Sequence, residues 1–185
     1  MQPALTSTAY ALHNLGLAAS FGGSLFGRMA LNPSVHSIAD HTERGAVVNR
    51  AWSRYNWINA IGMGATALTW FAGRTKISGR SIDSTSRALT IGKDILLGTA
   101  LASGAASVVC GRMLAAQAPE GRVDLDGGSE PSPRTPEKAR KLMQAINVLG
   151  AVALVASAGV IGLTAVLGLR AGTSAKWNVL SRFLP

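Results

Sequence analysis

Four apolar runs, separated by polar segments that carry nearly all the charge, set the pattern of this 185-residue chain. The first, Ala9 to Gly27, holds no charged residue and is closed by Arg28. A bilayer's hydrocarbon core, ~30 Å thick, requires apolar helices of about this length. The pattern predicts membrane spans over residues 9–31, 55–73, 95–113 and 142–169. Asn32-Pro33 reads as the stop of the first span, Asn as an N-cap and Pro as the first residue of a short following helix. Asp40 and Arg44 then stand four apart in the favourable acid-before-base order.

From Glu43 the period is helical and amphipathic. Val48, Trp52 and Tyr55 fall at i, i+4 and i+7, while Arg50 and Arg54 share another face. Segment 43–56 is therefore expected as an interfacial extension that runs unbroken into the second span. Trp52, Tyr55 and Trp57 are expected to anchor that helix at one membrane interface, with Trp70 marking the other. Lys93 beside Asp94 is placed at the interface before the third span. Residues 117–135, rich in Pro, Gly and acid, read as a disordered loop. The tail, 173–185, mixes basic and apolar residues and reads as a segment on the membrane surface, anchored by Trp177.

The expected fold is all-α. A single membrane domain, residues 1–185, forms an integral four-helix bundle with an amphipathic interfacial extension before its second span. Small residues at four-residue spacing, Ala19, Gly23 and Gly27 in the first span and Gly98, Ala102 and Ala106 in the third, predict the helix-packing faces. In lipid such residues let backbones approach closely, since apolar burial supplies no drive there.

Composition supports the membrane reading and narrows the partners. Hydrophobic residues make up 48% and charged residues 15%, against ~25% charged in soluble domains. The net charge of +9 suggests nucleic acid at first sight. The basic residues flank the apolar runs, however, where membrane proteins keep Lys and Arg. No nucleic-acid partner is expected; the partners are the lipid bilayer and other membrane subunits, or a second copy of the chain. Basic density in the short segments places both termini in the cytoplasm. The start of the chain lacks the basic n-region of a signal peptide, so the first run is expected to be retained. The lone Cys110 leaves no intrachain disulfide.

Candidate chemistry is sparse. Paired axial haem ligation needs two side chains from facing helices, and His13 alone lies in a span, with His36 and His41 beyond its far end. Met29, Met63, Met113, Cys110, His36 and His41 are soft ligands without a recurring spacing, so no metal and no cofactor are expected. A nucleophile elbow, a zinc-protease motif and a complete calcium loop are all missing. The polar intramembrane candidates are His13, Asn14, Asn59 and Asn147. They read first as hydrogen-bonding contacts between helices, each worth ~0.6 kcal/mol.

His13 early in the first span, Gly22-Gly23, Phe26, Pro33 and the basic-aromatic run Arg50 to Asn56 together resemble a class of bacterial four-span membrane proteins. That class is distantly reminiscent of copper-resistance D-type membrane domains. The resemblance covers about a third of the chain; it implies four helices and no agreed activity. Copper transport does not follow, because the metal-ligand motifs are not present.

The expected function is that of a non-enzymatic structural or accessory subunit in a membrane, packing by its small-residue faces within itself or a larger complex. The expected location is a bacterial inner membrane, though the Ala- and Gly-rich composition suits an organellar one equally. The alternative is a small-molecule or ion transporter, or a ligand-binding membrane protein, with a polar site around His13, Asn14 and Asn59.

Overall fold

The computed structural model describes residues 3–77 and 84–172. They are mostly helical, in four long helices: α1 (Pro3–Phe26), α2 (His41–Ile77), α3 (Ser84–Ala115) and α4 (Glu137–Gly172). Two short strands, β1 (Leu125–Gly127) and β2 (Glu130–Pro131), pair antiparallel between α3 and α4. The interfacial tail and Trp177 lie outside the described residues.

The helices associate as two close pairs, α1 with α2 and α3 with α4, which meet through α1 against α4 and a thinner contact of α2 with α3. Leu17, Met63, Leu97, Ala100, Ala156 and Val160 form one buried apolar cluster to which all four helices contribute. The α1–α2 pair closes on glycine. A methyl added to Gly16 would overlap the Gly62 carbonyl, and one on Gly62 would press on the Gly16 carbonyl and Ser20. Gly16→Ala is accordingly expected to lower stability by about 2 kcal/mol, in the range of overpacked cores. Equilibrium unfolding in mixed detergent micelles, followed by circular dichroism, measures it.

The small-residue faces differ from the expected ones. Gly23 and Gly27 do pack inward, against the rings of Tyr55 and Trp52. Ala19, Gly98 and Ala102 are exposed instead, and Ala106 is half-buried. Thr90, Lys93, Leu97, Ala100 and Ser103 form the buried face of α3. The inward stripe is thus set by the larger residues, one helical position away from the glycine stripe.

Asn32-Pro33 does not end the first helix. The chain passes from α1 through a wide turn at Gly27–Leu31 into helical Asn32–Ser34, with Asn32 in right-handed helical geometry, and ends in a tight turn at Val35–Ser37. The N-cap belongs to α2: Asp40 Oδ1 accepts from the Thr42 amide (2.7 Å) and hydroxyl (2.7 Å) and from the Glu43 amide (3.3 Å). The Thr42 hydroxyl first, then these amides, hold the Asp40 carboxyl below its ordinary range. A depressed folded-state pKa means that this stabilisation is complete above the unfolded value of 3.8 and fades as pH falls through the folded one. The protection of the Thr42 and Glu43 amides, measured as exchange relative to the intrinsic rate at each pH, should therefore fall at acid pH, and Asp40→Asn should keep the cap while removing that dependence.

Residues 117–135 form a folded cap, not the disordered loop that composition suggests. Val123 and Leu125 are buried with Ala139 and Met143 of α4, beside Leu114 and Ala118. Arg44 holds the cap to α2. Its buried guanidinium donates to the carbonyls of Ile38 (2.7 Å), Asp126 (2.6 Å) and His36 (3.3 Å), so it turns away from Asp40. The Thr135 hydroxyl donates to the Asp124 carbonyl at 2.6 Å. His41 stands 3.6 Å from both Asp124 and Asp126, and His36 stands 3.7 Å from Glu130.

The aromatic residues also divide. Trp57 is 71% exposed, as an interface anchor would be. Trp52 and Tyr55 face α1 instead. The Trp52 indole donates to Asn32 Oδ1 at 3.0 Å, and the Tyr55 hydroxyl lies 2.5 Å from the Ser20 carbonyl and 3.0 Å from the Ser24 hydroxyl. Both rings fill space left by Gly27 and Gly23, which is why they are half-buried and turned from the outer face of α2.

Candidate functional site

Polar residues that recur at helical spacing put one buried cluster at the end of the molecule away from the cap. On α2, Thr66, Thr69 and Trp70 fall at i, i+3 and i+4 and share a face. His13 stands one turn before Leu17 on the inward face of α1, and Lys93 one turn before Leu97 on that of α3. The three faces converge. His13 is 4% exposed and Lys93 is 2% exposed.

The geometry assigns the hydrogens. His13 Nδ1 lies 3.0 Å from the Thr66 carbonyl and 3.2 Å from the Thr69 hydroxyl. A carbonyl only accepts, so Nδ1 carries the hydrogen and Nε2 presents its lone pair. Lys93 Nζ sits 2.9 Å from that Nε2 as the donor. The same ammonium lies 3.8 Å from the centroid of the Trp70 ring, over its face, a cation–π contact. The indole N–H of Trp70 donates to Asp94 Oδ1 at 2.7 Å. Thr66 closes the arrangement, its hydroxyl 3.2 Å from the His13 carbonyl and 2.9 Å from that of Gly62. One indole thus meets a cation on its face and a carboxylate at its edge.

His13 is therefore the one expected polar residue placed in this cluster. Asn14 and Asn59 are half-buried and take no part in it. Asn147 belongs to the cap end: its side-chain amide donates to the Ser129 carbonyl at 3.0 Å, and its own carbonyl accepts from Arg28 at 2.5 Å. Arg28, in the wide turn that follows α1, ties that turn to α4 there.

Lys93 is the member of the cluster that the apolar pattern misplaced. It was expected at the interface because it adjoins Asp94 and opens the uncharged part of the third span. The signal that finds it is its position on the Thr90, Lys93, Leu97, Ala100 stripe.

Among the described residues, no group of three or more His, Cys, Asp or Glu side chains is placed to hold a metal ion. What the cluster can do chemically is hold, and pass between two nitrogens, a proton. The chain matches no protein-family model, no curated protein and no solved structure.

Proposed function

We propose that this chain is a multi-pass integral membrane protein, all four of its helices crossing the bilayer. In this reading it is a non-enzymatic structural or accessory subunit, placed in a bacterial inner membrane. The exterior of the helices carries the proposal. Two of them, over Ser84–Ala115 and Glu137–Arg170, are long and apolar enough to cross a membrane by length and composition. The other two present exposed apolar side chains as well: Tyr10, Leu12, Leu15, Phe26 and Met29 on the first stretch, and Trp57, Ile58, Ile61, Leu68 and Phe71 on α2. At 1.5 Å per residue these outward bands are about 28 Å long from Tyr10 to Met29 and about 21 Å on α2. The bands from Ile91 to Met113 and from Val148 to Leu169 are about 33 and 32 Å.

Three of those lengths match a hydrocarbon core of ~30 Å, and the α2 band is about two-thirds of it. Soluble monomers rarely expose contiguous apolar patches above a few hundred Å². The interior mixes the apolar cluster with polar side chains, His13, Ser20, Thr66, Thr90, Lys93, Ser103, Ser157 and Thr164 all being buried. An apolar exterior around an interior that holds many of the polar groups is the distribution that lipid, rather than water, rewards.

The accessory role is supported by the outward small-residue face of α3, where Gly98 and Ala102 are exposed and nothing lies within 4 Å of a side chain added at Gly98. Membrane helices associate through such faces. Purification in mild detergent tests the role: a stoichiometric assembly, self or mixed, that Gly98→Leu and Ala102→Leu dissolve without unfolding the chain is the expected result. A protein that stays monomeric in detergent and in bilayers, or one that carries an absorbing cofactor, contradicts it.

The transporter reading has one observation in its favour, the buried Lys93–His13 pair, since ionisable residues inside a membrane are candidates for ion or proton paths. The packing argues against a path that runs through. Leu17, Met63, Leu97, Ala100, Ala156 and Val160 close the space between that pair and the cap end.

A further inference from the structure

We propose that His13, Lys93, Trp70 and Asp94 form a proton-binding site at the seam between the two helix pairs, closed on the side that faces the cap. In this site, arrival of a second proton undoes the seam. The inference does not depend on what the protein assembles with.

The site occupies the junction. His13 comes from α1, Trp70 from α2, and Lys93 and Asp94 from α3, so the Lys93–His13 bond, the Lys93–Trp70 contact and the Trp70–Asp94 bond all join the α1–α2 pair to the α3–α4 pair. The pairs touch one another far less than the helices within each pair do. Three polar links at one level therefore carry much of the junction at this end.

The hydrogen-bond geometry limits the proton count. With Nδ1–H committed to the Thr66 carbonyl, one lone pair at Nε2 faces one amine. Lys93 as ammonium donates to it and sits favourably over the indole. Transfer of that proton from Nζ to Nε2 leaves a neutral amine accepting from an imidazolium, whose Nδ1–H still meets Thr66; charge and protons balance, and the 2.9 Å bond survives. Uptake of a second proton from water places N–H donors on both sides of the same gap. The bond is then lost and two cations repel at contact distance.

The surroundings set the direction of access. On the cap side stand the four-helix apolar cluster and the Gly16–Gly62 contact, where the backbones leave no room for water. Among the described side chains, Asp94 is the acid that faces the site on α3. From α2, among the described side chains, the site is faced by Thr66, Thr69 and Trp70, none of which titrates near neutrality. α4 turns Leu163 toward Gly92 and carries Arg170 exposed, nearer its end; Tyr10, about a turn before His13, is exposed beside Gly168. Closure on the cap side makes the pair a proton sensor rather than a conduit.

Selective ¹⁵N labelling of histidine and tryptophan in the full-length protein, held in mild detergent, tests the site by NMR. Near neutral pH the His13 ring should be neutral with its hydrogen on Nδ1, which marks the Lys93 bond at Nε2. On acidification, the His13 signal and the Trp70 indole N–H signal should shift together in one step. Lys93→Met should let His13 titrate as an independent group, with no matching change at Trp70. A hydrogen on Nε2 of His13 at neutral pH, or a His13 titration identical in the native and Lys93→Met proteins, overturns the proposal. Should Lys93→Met fail to fold, the ring tautomer and the coupled Trp70 shift of the native protein still decide it.

Discussion

His13→Leu is expected to lower the stability of the detergent-solubilised protein by about 3 kcal/mol, the scale on which leaving a buried charged donor without its acceptor is felt. The size is diagnostic. An ordinary hydrogen bond between membrane helices is worth ~0.6 kcal/mol, so a loss of that order would mean that His13 is only another polar contact. The larger loss follows because Lys93, 2% exposed, would keep its ammonium in the interior without the Nε2 acceptor. The second half of the expectation removes the ambiguity: adding Lys93→Met to His13→Leu should restore stability to within about 1 kcal/mol of the native protein, since an apolar pair of similar volume strands no charge. Additive losses in the double variant would show that the two residues do not act on each other. Equilibrium unfolding of the four proteins in mixed micelles gives the cycle.

Arg44→Ala is expected to release the cap while leaving the helices associated. The three carbonyls bonded by its guanidinium come from the turn before α2 and from β1, so one side chain ties these segments together from within, beside the more exposed His36–Glu130 and His41–Asp126 contacts. Hydrogen bonds with a charged partner contribute about 1.5–3 kcal/mol each, less whatever water recovers once the site opens. A net loss of about 2 kcal/mol in cap closure corresponds to cleavage on the order of thirtyfold faster when opening is rapid relative to cutting. Trypsin should accordingly cut at Arg122 and Arg134 in the variant far sooner than in the native protein. Helicity should stay within a few per cent, because the buried cluster of Leu17, Met63, Leu97 and Val160 is remote from Arg44. Unchanged cleavage would place the hold on the cap elsewhere, in Val123 and Leu125.

How much of this was legible depends on which physical signal each feature leaves. The long helix from the region of Glu43 through Phe71 was readable because its period continues without Pro across the change from amphipathic to apolar. The folded cap was not, because Pro, Gly and acid are what both disordered loops and tight turns contain. Val123 and Leu125, which alternate with Asp124, were the local hint, and a β hairpin this short owes its order to Met143 and Leu114 beneath it. The helix faces were misread for a related reason. Gly98 and Ala102 have the spacing of a packing motif, but spacing alone does not say whether the motif faces its own bundle or outward.

The site was half visible. His13 stood out as the single histidine within an apolar run. Lys93 did not, because adjacency to Asp94 and a place near the start of a span suggest a residue in the headgroups. Its partner lies eighty positions away in the sequence, and only the convergence of three inward faces brings Nζ to Nε2. Cation–π contact with Trp70 leaves no trace in one-dimensional spacing either.

In the four-span proposal α1 and α2, as well as the two more apolar helices, lie in lipid. Site-directed spin labels at Leu15 and Ile61, which are 66% and 71% exposed on the outward faces of α1 and α2, test this placement. With Cys110 replaced by Ser and the protein in lipid bilayers, both labels should be relaxed strongly by oxygen and hardly at all by a water-soluble nickel chelate. Strong relaxation by the chelate at either position would place that helix in water and contradict the four-span account.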